Sequence, residues 1–367
     1  MFYFINLKCI LDVSSRLNPP TLFHCYLEVS KPLPDKQAPN IVRLFPDSIE
    51  DEEDIRNQIP KFCYPCETDH AGVQYFTFVL TDIDGKFRYG FCRYPPHATS
   101  CMCIVSYLPW FEFFYNFLDS ITDLDLRGNI IQSNELLSLV QNHPLQDPGT
   151  TVRVTVNSFI SPKEFRYVIT DTSRLPTIPE NRNLTEYFAA IDPENMVYIF
   201  ISMLFERRII ITSKKLSLLT AVVHGSVSLL YPMQWQHIYV PILPPHLIDY
   251  CCAPMPFLVG VHSSMMDQVR EMPMDEVVIL DADTNEIQII LEDLDSFPPE
   301  LTSRMKGRLK KTEKALDDYV SSQFLQALAT LIGGYRDALK FTETDEVGQI
   351  DFDSGYFETC IIVICGL

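Results

Sequence analysis

A chain of 367 residues is long enough for two or three domains with cores of their own. Apolar residues make up 47% and charged residues 21%, a globular balance rather than a disordered or fibrous one. The formal net charge of −19 at pH 7 opposes nucleic-acid backbones and anionic membrane surfaces, so nucleic acid is excluded as a partner.

The first residues, MFYFINLKCILDV, lack a basic n-region, and Lys8 interrupts the apolar run, which argues against a secretory signal. Leu22–Val29 alternates loosely and reads as a strand, followed by an acidic loop at Glu50–Asp54. In FTFVLTDIDGKFRYGFCR, Phe76 to Arg93, aromatic and β-branched runs flank Asp84-Gly85, a hairpin signature. A short apolar strand follows at Met102–Tyr107. Then LPWFEFFYNFLDSI sets Trp110, Phe113, Phe114 and Phe117 at helical spacing, predicting a helix laid across the sheet. These elements make an α+β domain ending near residue 145, before the turn-rich HPLQDPGT.

The middle third alternates helix with continuously apolar strand. Helices are expected at Asn195–Glu206, from Ser213 to about Leu230, at Pro245–Cys251 and at Ser263–Met272. Strands are expected at Arg207–Thr212, His237–Leu243, Phe257–Val261 and Val277–Asp281. That pattern belongs to a largely parallel sheet buried on both faces. The prolines of VPILPPHLIDYCCAPMPFLVGV, Val240–Val261, punctuate it: Pro241 and Pro244 bound a strand, and Pro245 suits the first turn of a helix. From about Leu301 the chain turns helical, with an amphipathic basic stretch at Ser303–Lys311. A second helix at Asp318–Leu339 carries Val320, Phe324, Leu328 and Leu331 on one stripe, with Gly333-Gly334 as a candidate break. The tail from Thr342 is acidic and finishes in CIIVICGL.

Catalytic patterns are missing from the sequence. It contains no GxxxxGK or GxGxxG to cradle a phosphate, and no GxSxG elbow beside His224-Gly225-Ser226. Cys63-Tyr-Pro-Cys66 with His70 has redox or zinc spacing, but Cys101/Cys103 and Cys251/Cys252 do not complete a finger, so these thiols read as buried apolar residues. Eleven cysteines form no disulfide framework, and the apolar windows Met196–Thr212 and Leu216–Tyr231 are charged or too short to span a bilayer. The expectation is a cytoplasmic protein with reduced thiols, no metal and no cofactor. The sequon Asn183-Leu-Thr185 is then accidental. Arg207-Arg208 opens a buried strand and reads as a structural carboxylate holder, with an arginine finger as the alternative. In PENRNLTEYF, Pro179–Phe188, two readings stay open: an interface hot spot of Arg182, Asn183, Glu186 and Tyr187, or a capped helix whose first-turn acid is Glu186.

PENRNLTEYF, the long run MLFERRIIITSKKLSLLTAVVHGSVSLLYPMQWQHIYVPILPPHLIDYCCAPMPFLVGVH and FTFVLTDIDGKFRYGFCRYPP…SYLPWFEFFY resemble the DENN-domain proteins, and within them the type-1 group, the connecdenns. The resemblance covers roughly Phe23 to Lys340. It implies an upstream longin-like lobe with an antiparallel sheet at 21–145, and a central three-layer α/β lobe with a mostly parallel sheet at 146–300. A partial helical downstream segment at 301–341 and a divergent tail at 342–367 would follow. LDDYVSSQFLQALATLIGGYRDALKF resembles the opening helix of the family's downstream lobe. The helices that follow it in the family are replaced by the tail, which predicts an exposed apolar stripe.

The family members are guanine-nucleotide exchange factors for Rab GTPases. The resemblance therefore implies a Rab partner, that of endosomal recycling (Rab thirty-five), with the nucleotide and magnesium belonging to the partner. It also implies recruitment from the cytoplasm to clathrin-coated vesicles and early endosomes, with peripheral association at endocytic membranes. The expected interface is Arg182, Asn183, Glu186 and Tyr187 with Trp110 and Glu112 from the longin-like helix. The alternatives are a Rab-binding adaptor without exchange, a GTPase-activating protein using Arg207 or Arg208, and a hydrolase built on Ser226 with His224 or His246.

Overall fold

The computed structural model describes residues 19, 21–32, 39–49, 52–66, 72–81, 85–95, 100–157, 162–311, 316–333, 339–343 and 348–352. Five antiparallel strands, β1 (Cys25–Ser30), β2 (Ile41–Phe45), β3 (Gln74–Thr81), β4 (Phe87–Tyr94) and β5 (Ser100–Ser106), form a sheet ordered β2-β1-β5-β4-β3. β3 and β4 are the expected hairpin, with Gly85 at φ 75° in the turn, where a side chain would be strained; Asp84 lies outside the described residues. Residues 52–54 are not loop but the opening of helix α1 (Glu52–Cys63), whose Ile55, Ile59 and Phe62 cover one sheet face. The other face carries α2 (Phe111–Leu126) and α3 (Ile130–Gln141).

A hairpin absent from the sequence reading follows: β6 (Thr151–Val156) and β7 (Lys163–Val168), joined antiparallel. Its inward Val152, Val154, Phe165 and Tyr167 pack under the helices, with Tyr167 5.3 Å from Phe113 and 5.5 Å from Phe117 between ring centres. The layer covering the first sheet therefore runs on past residue 145, to Ile169.

Next come α4 (Arg182–Ala190), α5 (Pro193–Leu204), β8 (Arg208–Ser213), α6 (Leu216–Ser228) and β9 (Ile238–Val240). A 3-10 helix (Pro245–Cys252) leads to β10 (Phe257–His262), α7 (Met266–Arg270), β11 (Val277–Asp281) and β12 (Glu286–Gln288). The second sheet runs β12-β11-β8-β10-β9, parallel except for β12. Alternate residues of β8 serve opposite faces. Ile209 and Ile211 join the core beneath α5 and α6, and Ile210 joins Phe257, Val259 and Val269 on the far side. This is the mixed α/β architecture the sequence predicts.

α8 (Leu291–Asp295), α9 (Pro299–Leu309) and α10 (Tyr319–Ile332) close the second lobe, and β13 (Leu339–Glu343) pairs with β14 (Gly348–Phe352) where continued helix and tail were expected. The predicted exposure of the α10 stripe does not occur. Val320, Phe324, Leu328 and Leu331 are all buried, with Phe324 5.0 Å from Phe200 of α5. The basic stretch of α9 is absorbed locally: Lys306 donates to the Tyr198 hydroxyl at 2.8 Å and Lys310 pairs with Glu194 at 3.0 Å. CIIVICGL lies outside the described residues.

One apolar core continues from Leu27, Phe76 and Phe78 of the first sheet through Val222 and Val223 of α6 to Ile209 and Leu258 of the second. His224 pins that junction. Its Nε2 lies 3.2 Å from the Thr77 carbonyl of β3, and its Nδ1 lies 2.5 Å from the Tyr239 hydroxyl of β9. A carbonyl can only accept, so Nε2 carries the proton and Nδ1 accepts from Tyr239. Burial pushes the imidazole down to about 4, partly offset by the Thr77 carbonyl. The folded state thus favours neutral His224, and the unfolded chain binds the extra proton first. The stability it contributes is present above about 6.5 and is lost as pH falls towards 4, by about 3 kcal/mol in all. Denaturant titrations from pH 7 to pH 4 are expected to show this loss, and a His224→Gln chain should lose a correspondingly smaller amount over the same window.

Candidate functional site

The sequence-predicted residues sit where α2 of the first lobe meets α4 of the second, and the structure divides them in two. Arg182 and Glu186, one turn apart on α4, form an ion pair at 2.9 Å, with side chains 35% and 31% exposed. The Arg182 guanidinium lies 4.9 Å from the ring centre of Tyr75 on β3 and 5.6 Å from that of Tyr115 on α2. Glu112, in the first turn of α2, is partly buried nearby. Burial raises its carboxyl above the usual range; Arg182 opposes that shift and Glu186 adds to it.

The other predicted residues turn inward. Asn183, Leu184 and Tyr187 lie on the α4 face that meets α6. Tyr187 is wholly buried, so close that a Cβ on Gly225 would stand 2.7 Å from the Tyr187 Cβ. Asn183 is 6% exposed, which also closes the Asn183-Leu-Thr185 sequon to a glycan. Trp110 precedes α2 and packs its ring 5.5 Å from Phe113, leaving 6% exposed. Helical periodicity is the reason: a four-residue cluster on one helix cannot face outward at every position. Trp110, Asn183 and Tyr187 hold the scaffold, while Arg182, Glu186 and Glu112 reach its surface.

Four residues missed in the sequence, Tyr75, Arg93, Asp119 and Tyr115, join this cluster, with Arg93 and Tyr115 buried beneath it. Tyr75 donates to Asp119 of α2 at 2.6 Å, Arg93 of β4 pairs with the same carboxylate oxygen at 2.6 Å, and the Tyr115 hydroxyl meets Thr77 at 2.6 Å. The spacing of Tyr115 and Asp119 on α2, and of Tyr75 and Thr77 on β3, shows in the sequence that each pair shares a face. Which helix covers which strand face does not. The resulting band of two arginines, three carboxylates and two tyrosines offers charge-assisted hydrogen bonds and aromatic contacts at a partly solvated surface.

The rival chemistries do not assemble. Arg207 is held by Asp293 with three nitrogen–oxygen approaches of 2.5 to 3.1 Å, and Arg208 donates to the Asp275 carbonyl. Ser226 donates to the Val222 carbonyl at 2.8 Å, while His224 is occupied by Thr77 and Tyr239, and His246 packs edge-on to Phe62. Among the described residues no helix is long and apolar enough to cross a membrane.

Comparison with known proteins identifies the family. Residues 39–94 match the uDENN domain and residues 97–285 the DENN (AEX-3) domain. The chain is 48% identical over 336 residues to human DENN domain-containing protein 1A, covering 90% of this chain and 32% of that protein. It is 46% identical over 342 residues to the Xenopus laevis protein of that name, covering 91% and 33% respectively. Mouse DENN domain-containing protein 1B is 46% identical over 336 residues, covering 90% and 43%. The chain thus spans about a third to two-fifths of the length of the relatives it matches. With both domain types present in order and close to half the residues shared with the type-1 relatives, this chain belongs to the DENN-domain family.

Proposed function

We propose that this chain is a guanine-nucleotide exchange factor for a Rab GTPase, the endosomal-recycling Rab thirty-five, acting in endocytic traffic at clathrin-coated vesicles and early endosomes. The observation that carries the reading is the pairing of DENN-family membership with a polar–aromatic band at the seam of the two lobes. Exchange makes and breaks no covalent bond. It requires only that the emptied GTPase be bound more tightly than the loaded one. A ten-thousandfold faster release needs about 5.5 kcal/mol of such preference, at about 1.36 kcal/mol per decade. A partner interface of about 1,600 Å² supplies that through a few anchors. In this reading Arg182, Glu186 and Glu112 touch the GTPase, and Asn183, Tyr187 and Trp110 keep them in place. Magnesium and nucleotide stay with the partner.

Release of a fluorescent GDP analogue from a Rab panel tests the proposal. Acceleration on Rab thirty-five is expected, falling about thirtyfold for Arg182→Ala, the loss of one anchor worth about 2 kcal/mol. The melting temperature should move little, because the partner Glu186 is itself about a third exposed and stays hydrated when the arginine is removed. Capture of nucleotide-free Rab without faster release would instead favour the adaptor reading, and indifference to every Rab would refute both.

A further inference from the structure

We propose that Cys63, Cys92 and Cys101, with Cys103 as fourth ligand, form a structural zinc site inside the first lobe. Cys63 ends α1, Cys92 lies on β4, and Cys101 and Cys103 lie two apart on β5. All four are fully buried. Strand register brings them together: Cys92 stands directly opposite Cys103 across the β4–β5 ladder, and Cys101 shares that sheet face by the two-residue period. α1 then lowers Cys63 onto the same spot. The sulfurs of Cys63, Cys92 and Cys101 lie within 4.8 Å of one another, and Cys63 and Cys92 are 3.9 Å apart. Cys103 is outside that trio of sulfurs, but it faces Cys92 across the ladder on the same side of β5 as Cys101, the position from which a fourth ligand would come.

These spacings are those of a metal's ligands. Four sulfurs about 2.3 Å from a tetrahedral zinc stand about 3.8 Å from each other, so the Cys63–Cys92 pair needs almost no movement. Sulfur-only donors select a soft cation over magnesium or calcium, which take oxygen. Each thiol that binds releases its proton to solvent, leaving thiolates on the ion. The ligands come from three elements distant in sequence, so no finger-like spacing announces them. Cys66, which shares the Cys-x-x-Cys pattern with Cys63, is not among the clustered sulfurs.

Such a site would tie the end of α1 to β4 and β5, and so act on the lobe's rigidity rather than on any partner. The test is elemental analysis of the whole chain, purified under reducing conditions after growth with zinc, together with reconstitution by a cobalt(II) salt. Zinc at about one equivalent per chain is expected. It should drop at least tenfold in Cys92→Ser and Cys101→Ser, and hold in Cys66→Ser. Cobalt should give the intense visible bands and sulfur-to-metal charge transfer of tetrahedral thiolate ligation. Folded protein with no bound zinc and no cobalt–thiolate spectrum overturns the proposal, as does zinc retained by a Cys92→Ala/Cys101→Ala chain. Should the substituted chains not fold, the cobalt spectrum of the unsubstituted chain decides alone.

Discussion

A Gly260→Ala chain is expected in the insoluble fraction, or to melt far below its parent. Gly260 lies in β10, the inner strand between β8 and β9, directly opposite Ile211. A Cβ there would stand 2.0 Å from the carbonyl oxygen of Pro241, 2.9 Å from its carbon, and 3.3 Å from a Leu219 methyl. The obstacle is backbone, so no side-chain rotation relieves it. The same crossing is fixed from the other side, because the Gly260 carbonyl accepts the Leu243 N–H at 2.8 Å. Overpacking in a core typically costs 1–3 kcal/mol. With rigid backbone as the neighbour we expect about 3 or more, a large part of the roughly 5–15 kcal/mol that holds a domain together. Gly307 in α9 is the control: nothing lies within 4 Å of its added Cβ, so Gly307→Ala should match or exceed the parent, by up to about 1 kcal/mol. Thermal melts of the two variants beside the parent check the pair. Equal melting for Gly260→Ala would show that the 241–243 segment yields.

Arg207→Ala is expected to cost about 2–4 kcal/mol in denaturant unfolding. Its partner Asp293 is 4% exposed in the side chain, and the guanidinium meets both carboxylate oxygens. Deleting the arginine leaves a carboxylate out of water with its best partner gone, a change that costs about 3–5 kcal/mol when both partners are buried. The discount reflects Arg207 itself, which is 31% exposed and therefore partly solvated. Adding Asp293→Asn to Arg207→Ala should recover much of the loss, because the unpaired charge goes with it. If the double variant is no more stable than the single one, the buried charge is not the cause. A fall in any activity of Arg207→Ala alone would report loss of this strut before it reported a catalytic arginine.

Much of the second lobe is legible in the sequence because its strands are uninterrupted apolar runs. RRIIIT, FLVGV and VVILD can each sit only between two covered faces, and they form β8, β10 and β11. The Asp84-Gly85 pair in the sequence signals the β3–β4 hairpin for a similarly local reason. The errors have physical causes too. EDEED resembles a solvated loop, yet acids are also welcome at a helix start, and Ile55, Ile59 and Phe62 recur on one side of α1. TVRVTV and KEFRYV alternate as strands should, but the turn residues preceding them suggest a linker.

The placement of the candidate residues is half legible. Composition marked PENRNLTEYF as unusual, and Arg182 and Glu186 do reach the surface. Tyr187 and Asn183 do not, because α6 presents a bare backbone at Gly225 that only an inward Tyr187 fills. Tyr75, Arg93 and Asp119 join the band only through the packing of α2 on β3 and β4, a relation that no local spacing carries.

The apolar core that passes beneath both sheets has a mechanical consequence. Lobes joined this way cannot swing like jaws without wetting Phe78, Val222 and Val223. A surface laid along their seam therefore keeps its outline for as long as that core stays dry.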